Sequence, residues 1–135
     1  MNDVILSKVT TIERCVKRIH EVYKDNPENL LDFTKQDSII LNIQRACEAS
    51  IDIAMHIVSE KKIGVPKASR EAFKLLQESG IIDAALAKTL MNMVGFRNIA
   101  VHDYQVLELD ILKAILNKHI DDFKKFTKTI LKMDH

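Results

Sequence analysis

A chain of 135 residues has room for one domain, because single cores are typically built from roughly 100 to 150 residues. Hydrophobic residues make up 47% and charged residues 29%, with three Gly and two Pro, a balance that excludes a disordered chain and suits helices. The formal net charge of +1 excludes a global field that would gather nucleic acid or an anionic membrane, so any polyanion site has to be local.

Ile5, Val9, Ile12, Val16, Ile19 and Tyr23 recur at steps of three and four, which predicts an amphipathic helix from about Asp3 to Tyr23. The turn-rich KDNPEN segment around Pro27 ends it. Ile40, Ile43, Cys47, Ile51, Ala54 and Val58 form the stripe of a second, longer helix, with Thr34 and Asp37 as its expected N-terminal cap and Gly64 and Pro66 as its stop. Ser69 and Glu71 open a short helix that Gly80 closes. A fourth runs from about Asp83 through GFRNIAVHDY, and a last carries Leu109, Leu112, Leu116, Ile120, Phe123, Phe126 and Ile130. Nothing reads as a strand. Such stripes are buried by packing as an all-α antiparallel bundle of four main helices plus a short one, a single domain over 1–135.

Cys15 and Cys47 are too few for a disulfide framework and stand outside any Cys/His cluster of zinc spacing, so they are expected as buried small hydrophobes. Asp3 and Glu13 interrupt any apolar signal core, and no run of about 18 apolar residues offers a membrane span, so the expected location is the cytoplasm. The lysines and arginines at Lys61, Lys62, Lys67, Arg70 and Lys74, and at Lys124, Lys125, Lys128 and Lys132, either track an RNA backbone or are solvated faces; interspersed acids favour the second account.

The fourth helix carries the chemistry. At about 100° per residue, Asp83, Leu86, Leu90, Met93, Val94, Arg97, Val101 and Tyr104 share a narrow sector, so Arg97 falls on an apolar stripe. A charge there must be paired, reach outward from its stem, or line a cleft. His102 lies about 140° around the helix from Arg97, so one regular helix does not set the two side by side. Two routes bring them together: loosening of the helix near His102, or a second copy packing its own fourth helix across this one, with Gly95 allowing close approach and Phe96 as an apolar anchor. Glu48 is a candidate partner for Arg97, and an ordinary flank residue otherwise. A histidine suits proton transfer to and from ribose oxygens, and an arginine suits a two-pronged hold on phosphate, so the pair fits RNA cleavage without a metal. An interface ion pair and a helix-end histidine are the competing structural accounts.

The run MVGFRNIAVHDY resembles the signature segment of the HEPN superfamily, and closely that of its HepT-type toxins. The family's Arg-x4-His-x-Tyr pattern falls on Arg97, His102 and Tyr104, with Asn98 directly after the arginine. The similarity extends from about Ile40 to Tyr104 through IQRACEASIDIAMHIV and SREAFKLLQESGII. It implies a homodimeric helical bundle with a metal-independent RNA-cleaving site at the dimer cleft, in which Arg97 and His102 are catalytic and no cofactor is required. It also implies an antitoxin of the minimal nucleotidyltransferase type, which transfers adenylate from ATP to Tyr104. Asn98 is expected to bind substrate phosphate or orient His102. A HEPN-like module that binds nucleotide or substrate for a nucleotidyltransferase without turnover, and a purely structural dimerisation domain, are the alternatives the residues leave open.

Overall fold

The structure is a computed structural model that describes residues 2–102 and 108–133. Among these residues it contains helices and no strand: α1 (Asp3–Tyr23), a 3-10 turn (Pro27–Leu31), α2 (Phe33–Lys61), α3 (Ser69–Glu78), α4 (Ala84–His102), α5 (Leu109–Ala114), a π-turn (Ile115–His119) and α6 (Ile120–Leu131).

The α1–α2 pair is the backbone of the bundle. Every residue of the predicted α1 stripe is buried, and Asn2 caps the helix by accepting from Val4 N at 2.7 Å. Lys8, early in α1, pairs with Asp52, late in α2, at 3.0 Å, as antiparallel neighbours require. The connection between them is more ordered than its turn-rich composition suggests. Lys24 and Asp25 take left-handed backbone, Asn26 accepts from Glu28 N, and the 3-10 turn drives Leu30 to full burial.

The cap expected at Thr34 and Asp37 is instead made by Asp32. Its backbone is extended, and its Oδ1 accepts from Lys35 N at 3.1 Å, whereas Thr34 already lies inside the helix. The stop of α2 also moves forward: Lys62 takes the left-handed conformation, with φ of 55°. Gly64 serves close packing, because a Cβ there would sit 2.8 Å from Leu75 Cδ1 of α3. Ser69 is the first residue of α3 and supplies no side-chain cap; Glu71 reaches back to accept from Lys67 N at 3.4 Å. Gly80, with φ of 77°, ends this segment as expected.

The last helix differs from one continuous stripe. The π-turn at Ile115–His119 adds a residue to the turn, so that adjacent Ile115 and Leu116 both enter the core. It also presents Asn117, whose Oδ1 accepts from the buried Tyr23 hydroxyl at 3.2 Å. Beyond it, Phe126 of α6 meets Phe73 of α3 edge to face at 5.9 Å, and α6 packs on α1, α2 and α4. The helix that carries the candidate site, α4, packs against α2, α3 and α6.

Candidate active site

Asp83 starts α4 by accepting from Leu86 N at 2.7 Å, so this residue caps the helix rather than joining its stripe. Leu86, Leu90, Met93 and Val94 then follow the predicted stripe into the core. Beyond them only Phe96 and Ala100 stay buried: Arg97 is half-buried, Asn98 and His102 are exposed, and Ile99 and Val101 are 39% and 49% exposed.

Arg97 meets the demand placed on a stripe cation by reaching outward and holding on to its neighbour. Its Nε donates to Asn98 Oδ1 at 2.9 Å. That bond draws the guanidinium around the helix toward the side on which His102 lies, narrowing the angular gap of about 140° that an ideal helix leaves between them. The helix does not loosen to do this, since α4 is helical through His102. With Nε occupied, the terminal nitrogens of Arg97 keep the forked edge that matches two phosphate oxygens. Asp103 and Tyr104 lie outside the described residues.

Beneath this turn sits Cys47 of α2. Its thiol donates to Met93 O at 3.6 Å, and burial pushes its pKa far above the ordinary 9.0, opposed by the nearby Arg97 charge and reinforced by Glu48. Cys15 is likewise buried and shifted upward by desolvation. Both behave as small core residues. Glu48 does not form an ion pair with Arg97; it accepts from Gln44 Nε2 at 2.9 Å, as an ordinary flank residue does.

Gly95 and Phe96, expected at a dimer contact, both make contacts within their own chain. Phe96 is only 6% exposed and packs in the core of its own chain, while it also lines, with Gly95 and Ile99, an apolar groove shared with Ile111 and Ile115. The close approach that Gly95 permits is also internal: a Cβ there would stand 2.7 Å from a terminal nitrogen of Arg70, whose Nε donates to Met91 O at 3.1 Å. Arg70 appears in the sequence only as one member of a basic cluster, and nothing in its own spacing distinguishes it from Lys67 or Lys74.

Two of the other described histidines are held by local acids: His56 contacts Glu60 at 3.2 Å and His119 contacts Asp122 at 3.2 Å. No group of three or more His, Cys, Asp or Glu side chains suited to holding a metal ion is found among the described residues. None of the helices, over the described residues, is long and apolar enough to cross a membrane.

A helical bundle with an Arg–Asn pair and a histidine on the open end of one helix matches a known class. The family model described as Ribonuclease HepT-like matches residues 12–130, and the chain belongs to that family. Among individual proteins, it is 51% identical over 130 residues to the mRNA nuclease HepT of Shewanella oneidensis, covering 96% of this chain and 98% of that one. The fold superposes on the tri-AMPylated Shewanella oneidensis HEPN toxin in complex with MNT antitoxin with a TM-score of 0.93, at 50% identity over 98% of this chain and 100% of the other. A toxin–antitoxin structure with AMP-PNP gives a TM-score of 0.93 at 48% identity, again over 98% and 100% of the two chains. One described as a Y104A mutant gives 0.91 at 47%, over 97% and 100%.

Proposed function

We propose that this chain is the toxin endoribonuclease of a toxin–antitoxin pair, cutting messenger RNA in the cytoplasm as a homodimer and without a metal. The observation that carries the reading is the open last turn of α4, where Arg97 is locked onto Asn98 beside an exposed His102. Its supports are family membership over residues 12–130 and near full-length similarity to an mRNA nuclease.

In the proposed reaction, His102 takes the proton from a ribose 2′-hydroxyl. The 2′-oxygen attacks the adjacent phosphorus, the bond from phosphorus to the 5′-oxygen breaks, and the leaving oxygen is protonated by the acid form of a histidine. The products are a 2′,3′-cyclic phosphate and a 5′-hydroxyl. Arg97 binds the non-bridging oxygens, where the extra transition-state charge collects, and Asn98 fixes the guanidinium for that task. Ile99 and Val101, exposed at the edge of the site, are the surface on which the second copy seats.

Neutralisation occurs at Tyr104, two residues past His102. The tyrosine oxygen attacks the α-phosphorus of ATP held by the nucleotidyltransferase antitoxin, and pyrophosphate leaves. The added phosphodiester then competes for Arg97 as substrate phosphate does. The tri-AMPylated toxin, the AMP-PNP complex and the Y104A mutant among the solved relatives support this assignment. Purified, unmodified protein incubated with total RNA in chelator should cleave it, whereas Arg97→Ala and His102→Ala should not. RNA binding without cleavage by the parent protein would replace the enzyme by a non-catalytic binding module.

A further inference from the structure

We propose that Arg70 is a second RNA-phosphate contact, addressing a phosphate that flanks the scissile one; this rests on the nuclease reading above. Gly95 lies inside α4. A glycine inside a helix is tolerated at a cost and calls for a reason, and here the reason is the Arg70 guanidinium laid directly on the helix surface. Its Nε donates to Met91 O at 3.1 Å, so the planar group is fixed from behind while the side chain remains exposed. None of the ion pairs among the described residues takes up this charge. A cation that is fixed, exposed and without a carboxylate in salt-bridge contact is organised for an anion that arrives from solution.

Its place on α4 says which anion. At about 100° per residue, Met91, Gly95, Asn98 and His102 fall within about 60° of one another, so they form a single stripe. Arg70 lies over the lower part of that stripe, His102 stands at its upper end, and Asn98 holds Arg97 between them. Seven residues separate Gly95 from His102, a rise of about 10 Å, so the Arg70 guanidinium lies away from the bond at which His102 acts but within reach of a strand that crosses it. Lys74, one helical turn beyond Arg70 on α3 and also exposed, continues the positive track away from the site. The basic cluster around α3, read from composition as a solvated face, thus has one member that the fold holds in line with the catalytic pair.

The test measures binding and cleavage separately. A twelve-nucleotide RNA blocked by a 2′-deoxy sugar reports affinity, the same RNA unblocked reports kcat and KM, and a dinucleotide, which has no flanking phosphate, reports the chemistry alone. Arg70→Ala should weaken binding of the twelve-mer by about tenfold and reduce the log–log salt slope by about 0.7, the value for one lost contact to a single strand. KM should rise with kcat unchanged, and dinucleotide cleavage should stay at the parent's level. Gly95→Ala, whose methyl must displace the flexible end of Arg70, should reproduce these changes, and the double variant should be no worse. Arg70→Gln retains a donor for Met91 O but no charge, so it guards against loss of folding and should behave as Arg70→Ala does. Parental affinity and salt slope in Arg70→Gln, or a fall in dinucleotide cleavage in Arg70→Ala, would overturn the proposal while leaving the nuclease intact. Absence of cleavage by the parent on both substrates would instead overturn the nuclease reading itself.

Discussion

Helices α1 and α4 begin alike and end differently. In α1 the apolar stripe is buried from Ile5 through Tyr23, and the helix closes on a left-handed Lys24 whose N–H is bonded to His20 O. In α4 the stripe is buried as far as Val94; its next members are a half-buried Arg97 and a Val101 that is 49% exposed. The first helix spends its whole stripe on the core, whereas the second keeps Phe96 and Ala100 buried on one face of its last two turns and frees the stripe face for its polar chemistry. A departure from periodic burial, rather than the periodicity, marks the site.

The contrast predicts separable effects, largest first. Arg97→Ala and His102→Ala should each lower RNA cleavage by about 10²- to 10⁴-fold, as loss of a phosphate clamp or an acid–base group does. Both should leave the denaturant midpoint nearly unchanged, because neither side chain is part of the buried core. Phe126→Ala should do the reverse, costing about 3–5 kcal/mol of stability in a denaturant titration, since it removes a fully buried ring and its contact with Phe73. Asn98→Ala should lie between them in activity, with cleavage down about tenfold, because a hydrogen bond to a charged group is worth about 1.5 kcal/mol or more.

The smallest effect concerns pH. Cys47 is held protonated in the folded chain by burial, so its folded pKa lies above the ordinary 9.0 of the unfolded thiol. Below that value the thiol is neutral in both states and its contribution to stability is fully present. Above it, only the unfolded state releases the proton, and stability falls as pH rises, by about 1 kcal/mol at about pH 9.5. Denaturant titrations from neutral to alkaline pH should show that decline, and Cys47→Ala should make it shallower. An unchanged slope would mean that Cys47 ionises in the folded protein.

Helix stripes were legible in the sequence wherever burial decides structure: Ile5 to Tyr23, Ile40 to Val58 and Leu86 to Val94 lie where their spacing puts them. Terminations were less legible at α2, where Asp32 and Lys62 act in place of the expected Thr34, Asp37 and Gly64, whereas the start of α4 at Asp83 lies where the sequence puts it. The π-turn at Ile115–His119 left little trace, since the stripe keeps steps of three and four across it. At the site, Arg97 stood out because a charge interrupts an apolar stripe, and Asn98 because it adjoins that charge. Gly95 stood out as well, but the group it makes room for comes from α3, 25 residues earlier in the chain, and only the fold brings the two together. Tyr104 was named from its pattern and lies outside the described residues.

The most direct test of the account is the chemistry of the cut ends. RNA cleaved by the unmodified protein in chelator should carry a 2′,3′-cyclic phosphate or its opened form on one fragment and a 5′-hydroxyl on the other, as mass spectrometry of the fragments would show. Fragments ending in a 3′-hydroxyl and a 5′-phosphate would contradict it, because a 2′-oxygen activated by His102 cannot produce them.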